Sequence, residues 1–334
     1  QQPHEEVRYF FYARHHHVEA LDVRAEALFE SLVASQGLMK SADLAVRLEA
    51  HLSHAHGVRV LAAEDGAALR RFDPRTRSLW LAGDLDAGRR AFELAVQVAY
   101  LEAGDIIDRL AADAGLRTED ARALARIGLA SYFAGALVLP YGRFLAEAEA
   151  LSYDIDRLAR RCAVSVETIC HRLSTLQRPT ARGVPFFFVR VDRAGNISKR
   201  QSATDFHFSR TGGTCPLWNV YEAFAQPGKT LTQLARMPDG RTYLWIARCV
   251  VHPGAGYGAP ARSFAIGLGC DVRHASRLVY ARGLALDGPE AATPIGAGCK
   301  VCERQDCAQR AFPALGKPLR VDENERLREP YVSR

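Results

Sequence analysis

A chain of 334 residues, 48% of them hydrophobic and 25% charged, has ordinary globular composition and enough length for two domains with a buried core. No uninterrupted apolar run approaches the roughly 18–20 residues of a membrane span and no secretory pattern opens the sequence, which points to a cytoplasmic protein without a membrane partner. The net charge of +6 comes from arginine, with only five lysines, and its scatter reads as a solvated surface rather than a nucleic-acid footprint.

The sequence starts at Gln1 without a methionine and within a few residues is in an aromatic, charged, helix-like segment, so it reads as part of a longer protein. Residues 5–34 are expected to form one helix, with Val7, Phe10, Phe11, Val18, Leu21, Leu28 and Leu32 at spacings of three, four and seven. His15, His16 and His17 fall within it. Consecutive helix positions point about 100° apart, so the three cannot converge on one ion and read as a partly exposed helix face. A second helix spans 41–56, from Ser41 to a stop at Gly57. Strand patterns at 58–63 and 78–82 bracket a Pro-bearing hairpin turn, "FDPRTRS".

Helical periodicity returns from Asp86 to Leu110, with Phe92, Ala95, Val96, Ala99 and Ile106 on the apolar face, and again at about 118–138, 143–149 and 152–176. "QRPTARGVP", 177–185, has two prolines and a glycine and reads as the linker. Beyond it, "FFFVRVDRAGNISKR" is a strand pair around an "AGN" turn, and "TYLWIARCVV" and "RSFAIGLGC" are further strands.

Of eight cysteines, Cys162, Cys170, Cys249 and Cys270 lie in apolar or helical surroundings where a thiol is usually buried. Cys299, Cys302 and Cys307 stand together in "GAGCKVCERQDCAQRAF" as C-x2-C-x4-C. A reducing compartment argues against disulfides. Structural zinc usually takes two close ligand pairs, and a second pair is absent; a cubane iron–sulfur cluster takes three thiolates from one loop and one from elsewhere, although this spacing is not a common ferredoxin run. On the residues alone both metal centres stay open.

The order helix, strand, "RRFDPRTRSLWLA" hairpin and helix "RRAFELAVQVAYLE" resembles the ImmA/IrrE group of small zinc metallopeptidase domains. In that group the helix carries His-Glu-x-x-His after a Phe-x-Leu-Ala lead. Here the lead stands as Phe92 to Ala95, and the next five residues are Val96, Gln97, Val98, Ala99 and Tyr100. Zinc hydrolysis needs two imidazoles one turn apart and a carboxylate between them, which these residues do not supply. The group's later segment stands as "ASYFAGALVLP", Ala130 to Pro140, and is preceded by Leu129 where the acidic third ligand would be. The resemblance implies a retained fold with its chemistry abandoned, and therefore no enzyme and no catalytic residues. "LARRCAVSVETICHRLSTL", 158–176, matches the group's closing helices; it could pass for half a helix-turn-helix, but it lacks a basic flank and reads as structural.

"SRTGGTCPLWNVYEAF", Ser209 to Phe224, together with the cysteine stretch, resembles the C-terminal domain of the short-chain fatty-acyl transcriptional regulators, which include propionate-responsive actinobacterial members. The likeness covers nearly the whole chain. It implies transcription regulation of propionate metabolism, a short-chain acyl-CoA effector of the propionyl-CoA type, a homo-oligomer, and promoter DNA contacted through a helix-turn-helix ahead of residue 1. It also tilts the metal choice to a 4Fe–4S cluster, with zinc as the alternative. Cys215, after glycines and before proline, is then the best fourth ligand beside Cys299, Cys302 and Cys307, with Cys270 of "GLGC" in reserve. An acyl-CoA would need an apolar slot and basic groups for its phosphates. No phosphate loop stands out, since "RTGG" and "GAGYGAP" lack the strand-loop-helix context and the lysine. The vacated cleft under Tyr100, covered by Phe11 and Tyr12, with Arg160 and Arg161 as phosphate partners, is the expected site. The rival readings are an enzyme acting on acyl-CoA or peptide in that cleft, and a zinc-stabilised interaction module.

The expected fold class is α+β. Residues 1–35 form an aromatic leading helix, 36–178 a mainly helical, degenerate zincin-like domain with a small hairpin sheet, and 185–334 a mixed α/β domain with an antiparallel sheet and a cysteine loop.

Overall fold

A computed structural model describes residues 2–63, 68–203, 214–254, 256–329 and 331–333. The chain divides into two compact units, Gln1–Gly183 and Val184–Arg334. The first is helical with one small sheet and the second is built on an antiparallel sheet, so the class is α+β.

In unit 1 the helix expected over 5–34 is two helices, α1 (Pro3–Tyr12) and α2 (Glu19–Leu32). His15 and His16 adopt φ of 48° and 55°, a left-handed turn that helical periodicity does not report. The histidines therefore lie in a tight corner, with His16 buried, rather than along an exposed helix face. The apolar spacing survived the break because α1 and α2 both pack on α6 (Glu119–Val138). α3 (Ser41–His56) ends at Gly57, whose φ of 61° closes the helix in the left-handed conformation that glycine adopts without strain. A three-stranded sheet of β1 (Arg59–Ala63), β2 (Arg70–Asp73) and β3 (Ser78–Ala82) follows in the order β1-β3-β2. β1 runs parallel to β3, and β2 and β3 form the expected hairpin.

The single helix expected over 86–110 is also divided, into α4 (Ala87–Glu102) and α5 (Gly104–Ala112), with the break at Ala103. After α6 come α7 (Tyr141–Ala150), α8 (Ile155–Cys162) and α9 (Val166–Leu173). Left-handed Ala163 stops α8 and the Ser165 side chain accepts from the Thr168 N–H to start α9. α6 is long and apolar enough to cross a membrane by length and composition, but 56% of that stretch is buried inside the unit. Its Leu129, Phe133 and Leu137 are wholly enclosed.

A buried polar network ties the ends of this unit together. Arg172 of α9 places Nη2 2.6 Å from Asp22 Oδ1 of α2, and both side chains are almost fully enclosed. Tyr132 of α6 donates its hydroxyl to the other oxygen of Asp22, His17 Nδ1 stands 3.3 Å from it, and Arg172 Nε donates to the Leu139 carbonyl. Burial alone would push the Asp22 carboxyl up, but Arg172, His17 and Tyr132 outweigh it and hold it at about 2. "QRPTARGVP" is consequently not a free linker. β4 (Gln177–Arg178) and β5 (Ala181–Arg182) form a short ladder, Tyr141 donates its hydroxyl to the Ala181 carbonyl at 2.7 Å, and Arg178 pairs with Glu19 and Glu26.

Unit 2 is a six-stranded sheet in the order β11-β8-β9-β10-β6-β7, made of β6 (Phe187–Val191), β7 (Ile197–Ser202), β8 (Thr230–Arg236), β9 (Thr242–His252), β10 (Arg262–Asp271) and β11 (Thr293–Pro294). All neighbours are antiparallel except β11 beside β8. One short helix, α10 (Asn219–Glu222), packs on β9 and β10. The Trp245 indole lies across β10 at Gly269, where a Cβ would stand 2.5 Å from its ring, and Trp218 meets Trp245 edge-on at 4.8 Å. That aromatic core fixes the start of α10 against the sheet.

Replacing Asp22 with Asn strands the buried Arg172 charge and is expected to cost about 3–5 kcal/mol in denaturant unfolding. The Asp22 carboxyl is depressed in the folded protein, so its contribution is complete above the ordinary value of 3.8 and is lost as pH falls toward about 2. The gap in unfolding midpoint between wild type and Asp22→Asn should narrow over that window.

Candidate functional site

Cys215, Cys299, Cys302 and Cys307 line one cavity of unit 2, together with Pro294, Ile295, Gly296, Gly298, Arg304 and Arg310. It holds about 330 Å³ of space free of protein atoms, partly open to solvent. Cys215 and Cys302 are buried, and Cys299 and Cys307 half-buried. Burial pushes the Cys215 thiol up, backbone N–H groups of Gly296 and Leu217 pull it down, and Cys299 and Cys302 add an upward push through their charge, leaving it raised. Cys270 is not part of the cavity. It lies inside β10 opposite Leu244, fully buried, with its thiol pushed up to about 12 by burial.

Two segments distant in sequence meet here because both are latched to β8. The Gln233 side chain donates to the Leu217 carbonyl at 2.8 Å and accepts from the Asn219 N–H at 3.0 Å, which fixes the residues after Cys215. On the other side, Ile295 N–H donates to the Arg236 carbonyl at 2.9 Å, and the Arg304 guanidinium donates to the carbonyls of Ile295 and Arg236. The segment Ser209–Gly213, including the glycines before Cys215, lies outside the described residues, as do the "RTGG" run and Ala255 of "GAGYGAP".

The cysteine loop is organised by a residue that spacing did not single out. Arg310 is 7% exposed, and its guanidinium donates to four carbonyls, those of Cys299, Cys302, Arg304 and Phe312. Irregular backbone has no ladder partners of its own, so one fixed fork of donors holds the loop in shape. The signal available in the sequence was an arginine within the cysteine stretch and nothing more. Gly296 is the other missed position: a Cβ there would stand 2.6 Å from Cys302 Sγ, so glycine lets the backbone close over the sulfur. Among the described residues, only His51, His56 and Glu102 bring three metal-ligating atoms within 4.8 Å of one another, so no three of the four thiols are that close.

In unit 1 the former metal side of α4 is filled. Val96 and Gln97 are buried, and Gln97 Oε1 accepts from Arg70 Nη1 of β2 at 2.6 Å. The Arg70 guanidinium lies 5.5 Å from the Tyr100 ring centroid and 3.6 Å from Glu93. Burial raises the Tyr100 hydroxyl, while Arg70 and Arg126 offset part of that. Phe11 presses its ring against Gly128 of α6, where a Cβ would meet it at 2.8 Å, and Tyr12 ends α1 half-buried. Arg160 and Arg161 are exposed on α8, with Arg161 paired to Glu147 at 3.0 Å. The turn after α8 meets α4 at Gly88, twelve residues or about 18 Å along the helix from Tyr100. The two arginines are therefore placed toward the opposite end of α4 from the tyrosine they were expected to join.

A peptidase-like helical unit with Val96, Gln97 and Tyr100 at the peptidase ligand positions, followed by a sheet unit that gathers four cysteines, defines a recognisable class. Residues 53–174 match the IrrE N-terminal-like domain, and residues 175–331 match the short-chain fatty acyl coenzyme A regulator, C-terminal. The chain belongs to the short-chain fatty acyl-CoA regulator family, a family of transcriptional regulators. The HTH-type transcriptional regulator RamB of Mycobacterium tuberculosis is 56% identical over 99% of this chain and 69% of its own length. PrpR, an HTH-type transcriptional regulator of the same organism, is 50% identical over 99% of this chain and 68% of its own length. A propionyl-CoA carboxylase regulator of Cereibacter sphaeroides is 46% identical over 98% and 69%. A solved Mycobacterium tuberculosis transcriptional regulator superposes with a TM-score of 0.94 at 50% identity, covering 99% of this chain and all of that one. The chain spans 68–69% of the length of these three relatives.

Removing the Arg310 fork, as in Arg310→Met, leaves four carbonyls without their donor and should cost the loop about 2–3 kcal/mol. Cys299 and Cys302 of the metal-free protein should then react faster with a thiol reagent, while Cys270, in the sheet, keeps its wild-type rate.

Proposed function

We propose that the chain is the effector-sensing part of a transcriptional regulator of short-chain acyl-CoA catabolism. It binds a propionyl-CoA-like effector and carries a 4Fe–4S cluster on Cys215, Cys299, Cys302 and Cys307. The reading is a non-enzymatic one, acting in the cytoplasm at promoter DNA as a homo-oligomer, with effector binding biasing that assembly.

The observation that carries the cluster is the convergence of four thiols on one cavity with no three of them within 4.8 Å of one another. A single tetrahedral zinc with Zn–S near 2.3 Å draws its sulfurs to within about 3.8 Å of each other. A cubane offers each thiolate a separate iron at its own corner and so spreads them further apart. Cys215 lies beside the N–H groups of Gly296 and Leu217, and hydrogen bonds to cluster sulfurs are among the means by which proteins set cluster potential. The bare backbone at Gly296 lets the loop close against Cys302 Sγ, where a Cβ would stand 2.6 Å from it.

For the effector, family membership supports an acyl-CoA, and the half-buried Tyr100 beside the Arg70 and Arg126 charges supports a site on the old cleft side of α4. Arg126 is the phosphate partner nearer to Tyr100; both arginines are paired to a glutamate, Arg126 to Glu119 at 2.7 Å and Arg161 to Glu147 at 3.0 Å. Phe11 supports the site by closing α1 onto α6 rather than by touching ligand.

Anaerobically purified protein is expected to be brown, to bleach with dithionite and to contain about four irons per chain. Cys215→Ser or Gly296→Ala should remove most of that iron, and a colourless protein holding stoichiometric zinc would overturn the cluster. In calorimetry, Tyr100→Ala and Arg126→Ala should each weaken propionyl-CoA binding by about tenfold or more, which is 1.4 kcal/mol. Unchanged affinity in both would remove the effector from this face of α4. Propionyl-CoA incubated with the protein should be recovered intact.

A further inference from the structure

The geometry points to a second metal site that the cysteine reading does not use: a divalent transition-metal site of the zinc type, made by His51, His56 and Glu102 in unit 1. The three residues come from the ends of two helices that lie side by side, His51 and His56 from the last turns of α3 and Glu102 from the last residue of α4. His51 and His56 each aim Nε2 at the same carboxylate oxygen, Glu102 Oε1, with His56 at 2.7 Å. The two rings stand edge to face, with centroids 5.7 Å apart, so their nitrogens converge from different directions.

Two imidazoles and one carboxylate are a recurrent protein ligand set for zinc, with a further position left to water. The side chains retain 20%, 19% and 11% exposure, which admits an ion and a water while removing most competing solvent. Burial would raise the Glu102 carboxyl, but the hydrogen bonds and charges of the two histidines outweigh that and lower it. Arg24 Nη2 lies 3.9 Å from Oε2, the oxygen that faces away from the imidazoles, and so leaves Oε1 to the ion. In an occupied site each histidine would bind as the neutral imidazole with its proton on Nδ1, offering the Nε2 lone pair to the ion beside Glu102 Oε1.

The site is separate from the degenerate cleft. Glu102 follows Tyr100 by two positions on α4, about 200° around the helix, and so lies on the side turned to α3. An ion there would clasp the C-terminal ends of α3 and α4.

The test uses the full chain with its cysteine-bound centre in place, stripped of loose metal and titrated with zinc, with magnesium as the hard-cation control. Wild type should retain about one equivalent of zinc more than His51→Gln or Glu102→Gln, at unchanged iron content. Zinc should raise the unfolding midpoint of wild type and leave that of both variants unmoved. Cobalt bound at this site should show a nitrogen and oxygen ligand field without thiolate charge transfer. Equal zinc retention by wild type and His51→Gln would overturn the site, as would loss of the extra zinc in Cys302→Ser. Should Glu102→Gln fail to fold, His51→Gln alters a side chain nearer the surface and decides alone.

Discussion

The architecture of unit 1 rests on one buried ion pair, Asp22 with Arg172. A carboxylate and a guanidinium are costly to bury, and each is tolerated only because the other, together with Tyr132, His17 and the Leu139 carbonyl, satisfies it. The pair joins the second helix to the ninth, 150 residues on, across the central α6. That closure explains why α1 and α2 belong to the same compact unit as the peptidase-like helices, and why the proline-bearing segment after α9 is held in place by Tyr141 and Arg178.

Unit 2 solves a different problem. Its cysteine loop has almost no regular structure, so its carbonyls cannot be satisfied by a ladder. Arg310 satisfies four of them at once, and Arg304 pins the same loop to the Arg236 carbonyl at the end of β8. Gln233 of the same strand pins the Cys215 segment. One strand of the sheet, β8, thereby fixes both halves of the cysteine site, and the Trp218–Trp245 contact packs the start of α10 on neighbouring β9.

The two units differ in how they relate to chemistry. On α4 the residues that a peptidase would use are replaced by Val96, Gln97 and Tyr100, and Arg70 reaches in from β2 to satisfy Gln97. The helix is preserved because its other faces pack on α3 and α6, contacts that do not depend on a metal. The fold therefore does not depend on those ligands, which is the condition under which such a scaffold can take up a different role.

The amino-acid sequence by itself determined the α+β class, the β2–β3 hairpin and the strands β1, β6, β7, β9 and β10, the extents of α3 and α6, the absence of peptidase ligands and the family, because apolar period and short motifs are local properties of the chain. It also singled out Cys215, Cys299, Cys302 and Cys307, whose spacing and flanking glycines are local as well. Only the tertiary structure decided that 5–34 and 86–110 are each two helices, since a left-handed corner such as His15–His16 leaves the apolar period intact. It alone separated Arg160 and Arg161 from Tyr100, set Cys270 apart in the sheet, and revealed Arg310, Gly296 and the His51–His56–Glu102 cluster. Each of those depends on which distant segments meet, and a linear pattern carries no record of that.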